Sequence, residues 1–437
     1  MKFKYASVLL IPLFSVGTQS FSQELLTLND AIGIALNQNP WIQVSRNTAE
    51  ITQNNAHIGN AGMLPQVNLS SGVNYSDNET DTNSGLVNST SSITTAAISA
   101  SMTVFNGFGN LFTFRKLKSA ADIGELTARN NIENELLNVI FAFYGVARAD
   151  EQQKIAQESV TISSERYERV KKRGAFGQAN KIAILNAEVD LSADSISYYN
   201  AELAYSEAHR NLNTLLNHNI DQEYTIDDQT VFTQEYKLEY LQQKAFQQNA
   251  GYRIYVNNVK QSTYDLRIAQ AGYLPKLSVS SSYGYSQNND DFAVRLDAPT
   301  RGLTASATLS LNLFDGFQRR SKRQNAQLSI ENQKLLLQDA RLALEQELKN
   351  TFASYENSRY ILAVQQRNLE SAQLNFERTR ELYELGQVTS TQFREAQLNL
   401  IRAKNNISNA RFDAKLYEYE LLKLSGELVQ ENVTSNK

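Results

Sequence analysis

The motif AGMLP at residues 61–65 recurs as AGYLP at residues 271–275, 210 positions further along the chain. A second motif, VFNGF at residues 104–108, recurs as LFDGF at residues 313–317, at an offset of 209. Two motifs that return in the same order and at nearly the same offset indicate an internal duplication. The chain therefore consists of two copies of one structural repeat, and any account of its fold must explain both motifs twice.

The duplication divides the 437 residues into five segments. We expect a signal peptide at 1–22, a first repeat at 23–217, a linker at 218–235, a second repeat at 236–426 and a C-terminal tail at 427–437. Each repeat is predicted to hold a helix, a pair of strands and a long helical hairpin. The linker is polar and acidic, and we expect one short strand within it.

Each repeat contains a pair of segments in which apolar and polar residues alternate. The pair lies at about 65–105 in the first repeat and at about 275–314 in the second. The apolar positions are Val67, Leu69, Val73, Tyr75, Ile98, Ala100, Met102, Val104, Leu277, Val279, Tyr283, Tyr285, Leu303, Ala305, Ala307, Leu309, Leu311 and Leu313. Period-2 alternation with Ser, Thr and Asn on the second face suits a transmembrane barrel strand, although a soluble β-sandwich alternates in the same way. The polar segments 77–92 and 287–302 are predicted to be exposed loops.

Between the strand pairs the pattern changes to helical. The stretches Phe108 to Arg173 and Phe317 to Leu385 contain no proline, and each predicts a helix of about 100 Å. Each helix turns at a glycine, Gly177 or Gly386, and the chain returns along a heptad stripe typical of a coiled coil. The stripes are Ile184, Ala187, Leu191, Asp194, Tyr198, Ala201, Tyr205, Ala208, Leu212 and Leu215, and Phe393, Ala396, Leu400, Ala403, Ile407, Ala410, Ala414, Tyr417, Leu421 and Leu424.

The N-terminus has the features of a secretory signal peptide. Lys2 and Lys4 precede a short apolar run, and cleavage is expected after Ser22; a transmembrane anchor is the alternative, although the run is short for a span. The chain has no cysteine, which excludes disulfides, thiolate chemistry and a lipidated N-terminal cysteine. A net charge of −4 gives no support to a nucleic-acid partner.

Strand number constrains the assembly. One chain supplies four strands, which cannot close a barrel, and an open sheet edge in lipid leaves backbone groups unpaired at several kcal/mol each. The barrel must therefore be shared between chains. Two chains give eight strands and a filled interior, whereas three give twelve strands and a lumen. Membrane lipid is then the partner of the apolar strand face.

The signal peptide, the duplicated AGxLP–strand–loop–strand–FxGF–helix–Gly–helix order and the opening LTLNDA at residues 26–31 resemble the TolC family of outer-membrane efflux proteins. The resemblance covers essentially the whole mature chain. It implies a mixed α/β membrane fold, in which a homotrimer closes a 12-stranded barrel and long antiparallel helices continue as an α-barrel across the periplasm. It also implies a passive exit duct for drug efflux or type I secretion. Its expected partners are a periplasmic adaptor (membrane fusion) protein and an inner-membrane pump of the RND or ABC type.

The resemblance also locates a periplasmic aperture at the helix turns. An acidic pair of the family maps here to Gln392 and Glu395, so the first acid is replaced, and Tyr383 matches a family tyrosine before the turn. In the family this tyrosine pairs with an acidic residue, whose position maps here to Ala183, and a family arginine maps to Val388. The polar contacts that hold the tip closed in the family are therefore largely absent from this sequence. Three copies of Glu395 around a threefold axis would favour cations. The natural adaptor-docking surface is the two turns, with Phe176, Gly177, Gln178, Leu385, Gly386, Gln387 and Val388.

The sequence contains no arrangement of residues that is typical of an enzyme active site. His57, His209 and His218 lack the spacing of a metal site, and no phosphate-binding or nucleophile motif is present. We therefore expect no enzyme activity, no metal and no cofactor. Two alternatives to a duct stay open on the residues alone: a periplasmic coiled-coil scaffold without channel activity and, far less favoured, a secreted hydrolase.

Overall fold

The computed structural model describes residues 25–83, 85–227, 230, 232, 236–290 and 298–428. The predicted signal peptide and most of the predicted tail lie outside these residues. The elements of the first half are β1 (Leu25–Leu26), α1 (Leu28–Gln38), α2 (Pro40–Asn55), β2 (Gln66–Thr82), β3 (Gly85–Asn106), α3 (Gly109–Ala175) and α4 (Lys181–Leu216). Those that follow are β4 (Thr225–Ile226), α5 (Leu238–Gln248), α6 (Ala250–Ala271), β5 (Lys276–Asp290), β6 (Thr300–Ser310), α7 (Gln318–Glu384) and α8 (Ser390–Ser425).

The two halves repeat the same order of helix, helix, strand, strand and long helical hairpin. Helices α3 and α7 each contain 67 residues, and α4 and α8 each contain 36. At about 1.5 Å per residue the longer helices span about 100 Å, so the predicted helix length is confirmed. The short strand expected in the linker is β4, which pairs in parallel with β1 near the start of the first repeat.

The two repeats also share individual hydrogen bonds. Asn39 caps α2 and donates from Nδ2 to the carbonyl oxygen of Leu215 at 2.9 Å. Asn249 caps α6 and donates in the same way to Leu424 at 3.1 Å. Each asparagine thus ties the start of a short helix to the end of the returning helix of its own repeat. These matching contacts support the duplication at the level of single atoms.

The two recurring motifs meet where the strands pass into the long helices. Asn110, just after the first FxGF motif, donates to the carbonyl oxygen of Gly62 at 2.7 Å, and Arg319 donates to Gly272 at 3.2 Å. Gly107 has a positive φ of 69°, and a Cβ there would lie 2.4 Å from a backbone oxygen of the second AGxLP motif. The motifs therefore recur because they form the joint between the sheet and the helices.

The predicted heptad stripes pack as expected. In the second repeat the stripe is buried along most of α8, at Phe393, Ala396, Leu400, Ala403, Ala410, Ala414, Leu421 and Leu424. Three apolar cores among the described residues hold the helices together. The largest joins α1, α3, α4 and α8 around Phe143 and Phe412, a second lies between α5, α7 and α8, and the third lies near the helix turns.

The strands are longer than predicted at their far ends. Strands β2 and β3 stay paired as far as Thr82 and Gly85, so the loop expected at 77–92 is wrong. Strand β5 continues to Asp290 and β6 begins at Thr300, so the loop expected at 287–302 is wrong over its paired part. Ladder hydrogen bonds and cross-strand Ser and Thr pairs carry the hairpins onward despite a composition typical of loops. Strand β6 ends at Ser310, so Leu311 and Leu313 lie beyond it.

Candidate functional site

The four long strands form one antiparallel sheet in the order β2-β3-β5-β6. Leu69 lies opposite Ile98, Ile98 lies opposite Tyr283, and Tyr283 lies opposite Leu303. This apolar row crosses all four strands, and every member is exposed, Leu69 at 81%. Contiguous exposed apolar surface of this kind marks an interaction with lipid or with another chain.

The adjacent row of the sheet is polar. It runs through Asn68, Ser99, Ser282 and Thr304, which lie opposite one another on successive strands. Serine pairs bridge the strands on this sheet, for example Ser280 and Ser306 with 2.8 Å between their hydroxyl oxygens. One sheet face can therefore meet an apolar medium while the other meets water.

The chain leaves the same two sides open in each of its three layers. In the sheet the outer strands are β2 and β6. In the helical layer next to the sheet, α2 packs on α3, α3 on α6 and α6 on α7, so α2 and α7 are the edges among the described helices. In the layer near the turns, α4, α3, α8 and α7 pack in that order, and α4 and α7 are the edges.

These edges carry exposed apolar side chains at heptad spacing. On α4 the exposed stripe is Ile182, Leu185, Val189, Ile196, Tyr199 and Leu203, and on α7 it includes Leu328, Leu335, Leu342, Tyr360, Leu374 and Leu382. The stripe on α4 is distinct from the predicted one, which faces α3. Helix α4 thus has two apolar faces, only one of which is covered by the described residues.

The two helix turns form the end of the molecule opposite the sheet. Gly177 and Gly386 have φ values of 71° and 75°, a left-handed conformation that glycine adopts without strain. Phe176 is 81% exposed and Leu385 is 71% exposed, and Gln178, Gln387 and both glycines are also exposed. Val388 differs, because it packs partly against the apolar core near the turns.

The predicted aperture residues lie in different environments. Glu395 is exposed on the first turns of α8. Gln392 is also exposed, and its side chain accepts a hydrogen bond of 2.9 Å from the backbone of Thr389, which completes the capping box of α8. Tyr383 is only 5% exposed and stacks on Phe393 with ring centroids 4.7 Å apart. Within one chain, therefore, Tyr383 belongs to the core of the hairpin.

A buried polar cluster near the turns connects the two hairpins. The guanidinium of Arg394 on α8 forms a bidentate ion pair with Asp194 on α4, and Ser163 on α3 donates to the same carboxylate. Arg166 on α3 pairs with Asp190 on α4. A fully buried amide, that of Gln397, donates to the Ser163 hydroxyl at 3.0 Å. We call these six residues, together with Ser159, the hairpin cluster: Ser159, Ser163, Arg166, Asp190, Asp194, Arg394 and Gln397.

The hairpin cluster was not among the residues predicted from the sequence, although the heptad stripe of α4 contains a signal for it. Asp194 occupies a heptad position that is otherwise apolar or aromatic, and a carboxylate buried there requires a cationic or hydrogen-bonding partner. Arg394 supplies that partner from a helix 200 residues away. Beside the cluster lies a polar groove of about 490 Å³, bordered by Asn186, Ser390 and Thr391.

Neither a membrane-spanning helix nor a metal-binding cluster is found among the described residues. None of the described helices combines the length and the hydropathy that a membrane-spanning helix requires. No group of three or more His, Cys, Asp or Glu side chains in the described part of the chain is arranged to hold a metal ion.

The chain is similar in sequence to known proteins over most of its length. The family described as "Outer membrane efflux protein" matches residues 31–218 and 241–427, once in each repeat. The protein CyaE of Bordetella pertussis is 23% identical over 343 residues, covering 76% of this chain and 70% of CyaE. The outer membrane protein TolC of Vibrio cholerae is 21% identical over 381 residues, covering 85% of this chain and 84% of TolC.

Solved structures agree on the fold. The CmeC outer membrane channel of Campylobacter jejuni superposes with a TM-score of 0.79 at 16% identity, covering 93% of this chain and 88% of CmeC. The family matches far more than half of the chain, and its two matched segments coincide with the two halves that share the Asn39 and Asn249 contacts. The duplicated sheet and helical hairpins are therefore those of the outer membrane efflux protein family, to which this chain belongs.

Proposed function

We propose that three copies of this chain close one twelve-stranded barrel and one helical tunnel, and that the assembly conducts solutes passively out of the periplasm. Membership of the family already makes the chain an outer-membrane exit duct for efflux or secretion that extends into the periplasm. Family and fold are those of channels rather than of enzymes. The proposal concerns how the duct is built and what docks on it.

The observation that carries the proposal is the position of the uncovered edges. One side of the chain presents β2, α2 and α4, and the other presents β6 and α7. Because the two sides differ, copies join head to tail, and such a contact forms a ring when the rotation closes. The exposed heptads on α4 and α7 then cover each other, as in a coiled coil.

The strand faces support a membrane position for the ring. The apolar row through Leu69 and Leu303 would face lipid, and the polar row through Asn68 and Ser282 would face the lumen. Pairing β2 of one copy with β6 of the next leaves no open edge in lipid. These features favour a duct over a coiled-coil scaffold that lacks a channel.

Cysteine cross-linking tests the ring directly, because the natural chain contains no cysteine. Ile182 lies in the first turn of α4, just after one helix turn, and Leu382 lies in the last turn of α7, just before the other. Positions on both edges can therefore be counted from the turns. Val189 and Leu374 then lie at similar heights. The double variant Val189→Cys with Leu374→Cys, treated with a short bismaleimide in the membrane, should give covalent dimers and trimers.

A matched control uses the same α4 cysteine with Leu342→Cys, which is also exposed on α7 but lies roughly 48 Å further along that helix. The control pair and both single variants should remain monomeric on a denaturing gel. A ladder that ends at the trimer supports the proposal. A ladder that ends at the dimer, or cross-links in the control, contradicts it.

The partners are proposed from the turns. An apolar side chain projects from each turn, Phe176 from the first and Leu385 from the second. We infer that a periplasmic adaptor docks here, on the surface that also includes Gly177, Gln178, Gly386, Gln387 and Val388, and that the adaptor links the duct to an RND or ABC pump. Phe176→Asp should abolish co-purification with the adaptor while the trimer persists, and Lys172→Asp, a nearby exposed site, should not.

The aperture is proposed to lie at the same end. Three exposed Glu395 side chains around a threefold axis would form an acidic ring at the start of α8, with Gln392 one helical turn away. Tyr383 contributes to this end by packing under the turn rather than by lining the opening. Cation selectivity of the open duct is the expected consequence.

A further inference from the structure

His209 is a buried ionisable group for which the duct has no evident use. It lies on α4 and is only 4% exposed. Neither of its ring nitrogens has a hydrogen-bond partner among the residues that the structure describes. The ring packs edge-on against Tyr205 at 4.6 Å and lies parallel to Tyr224 at 6.5 Å. A buried imidazole without partners is costly, so its retention among aromatic rings requires an explanation.

The segment that covers His209 follows α4 directly. We call residues 217–224 the equatorial loop. Its His218 contacts the hydroxyl of Tyr224 through Nδ1, and the Asn213 amide of α4 donates to the loop carbonyls of Ile220 and Gln222 at 2.9 and 2.7 Å. The loop leads straight into β4, and β4 pairs with β1, the first described strand. Tyr224, which packs beside His209, directly precedes β4. A change at His209 can therefore reach this strand pair through a single residue.

The charged groups around His209 come from each packed element. The equatorial loop contributes Asp221 and Glu223, α3 contributes Asp150, and α4 itself contributes Arg210. Tyr205 of α4, with His218 and Tyr224 of the loop, are the other titratable groups. The charged residue of α1 is Asp30, which is held in a capping box with Thr27. A cavity of about 100 Å³ lies beside the ring and is lined in part by Tyr205, Arg210, Asp221 and Glu223. It is large enough for water to reach the ring.

We propose that His209 is a proton-sensitive joint between α4 and the equatorial loop. On acidification the imidazole takes up a proton from water, becomes a cation, and can no longer remain unpaired beneath Tyr224. The loop then rearranges so that the carboxylate of Glu223 meets the imidazolium. The site would respond to the pH of the medium, because small ions pass the outer membrane through water-filled pores.

The direction of the effect follows from burial. Burial lowers the pKa of His209, and Glu223 and Asp150 oppose that shift only in part. In the unfolded chain a histidine takes up its proton near pH 6.5, whereas in this fold it does so at a lower pH. The unfolded state therefore binds more protons below about pH 6.5, so acidification weakens the native packing of the loop. Packing is intact above the unfolded pKa and is lost as pH falls through the folded pKa.

Hydrogen exchange of the full-length protein in detergent tests the proposal. Amide protection would be measured over a series of pH values from about one unit above to about two units below the ordinary histidine pKa of about 6.5, with labelling times scaled for intrinsic exchange. We expect peptides that cover residues 205–226 to lose protection several-fold on acidification, while peptides from the helix turns do not. His209→Phe should remove this response, because it preserves an aromatic ring between Tyr205 and Tyr224 but cannot take up a proton.

Two further variants keep the test decisive. His57→Phe changes an exposed histidine and should leave the acid response intact. Glu223→Gln removes a carboxylate that stabilises the imidazolium, so it should move the midpoint of the response to lower pH. The proposal is overturned if His209→Phe responds to acid like the wild type. It is equally overturned if Glu223→Gln leaves the midpoint unchanged, a result that stands even if His209→Phe does not fold. Neither result bears on trimer formation or conduction, which are measured separately.

Discussion

Arg394 and Asp194 form a bidentate ion pair that joins the two helical hairpins of the chain. Nη1 of Arg394 lies 2.5 Å from Oδ2 of Asp194, and Nη2 lies 2.9 Å from Oδ1. Arg394 lies on α8 and Asp194 lies on α4. Ser163 lies on α3, the helix between them, and its hydroxyl oxygen accepts a hydrogen bond from Arg394. Within each hairpin the contact is mainly an apolar coiled coil, so this pair is a polar tie of a different kind.

Removing one member of this pair should be strongly destabilising. Both side chains are largely buried, so Arg394→Ala leaves the buried Asp194 carboxylate without its cationic partner, at a cost of about 3–5 kcal/mol. The free energy of unfolding, measured with urea in detergent, should fall accordingly. Arg402→Ala, on an exposed position of the same helix, is the control and should change it little. Equal effects of the two variants would contradict a buried tie.

The apolar row of the sheet should tolerate charge poorly. Leu69→Lys places an ammonium on the face assigned to lipid, where a lysine costs about 2–4 kcal/mol near the bilayer midplane. Asn68→Lys places the same group on the neighbouring polar row and serves as the matched control. The folded, carbonate-resistant fraction in the membrane should fall for Leu69→Lys alone. If Asn68→Lys were the more harmful variant, the two sheet faces would be assigned the wrong way round.

Tyr383 is expected to act through its ring. It stacks on Phe393 near Phe376 in the apolar core below the turn. Tyr383→Ala should cost about 3–5 kcal/mol, as for other buried aromatic truncations, and should open the turns to limited proteolysis. Tyr383→Phe keeps the ring and should behave like the wild type. If Tyr383→Phe were as harmful as Tyr383→Ala, the hydroxyl would have a role of its own.

The proposed acidic ring predicts ion selectivity. Glu395→Gln should reduce the preference for cations, measured as the reversal potential under a salt gradient in planar bilayers, because it neutralises three carboxylates at once. Gln392→Glu adds an acid one turn away and should increase the preference. Glu381→Gln removes an acid that pairs with Arg378 at 3.0 Å and is the control. Unchanged selectivity in both Glu395→Gln and Gln392→Glu would place the selective constriction elsewhere.

The long-range periodicity of the sequence predicted much of the fold. Heptads fix which face of α8 is buried, and the paired glycines fix where each hairpin turns, because few other residues adopt a positive φ without strain. Alternation predicted the apolar row through Leu69 and Leu303, since side chains on a strand alternate between faces. Such features depend on local chemistry and can be read from one sequence.

Features that depend on distant partners were not predicted. The paired ends of β2 and β3 look like loops by composition, and only the cross-strand ladder makes them strands. The caps Asn39 and Asn249 depend on carbonyl groups more than 170 residues away. Asp194 is a charged residue at a heptad position that is otherwise apolar or aromatic, so the sequence indicates a buried polar contact there. Its partner Arg394 could be found only in the folded chain.

The central claim is that three copies share one barrel and one tunnel. Electron microscopy of the detergent-purified full-length protein, with particles averaged along and down the long axis, tests it most directly. The account predicts threefold particles longer than about 130 Å, since helices of about 100 Å continue into the strands, with an open lumen through the sheet end. Monomeric or twofold particles, or a sheet end without a lumen, would contradict it.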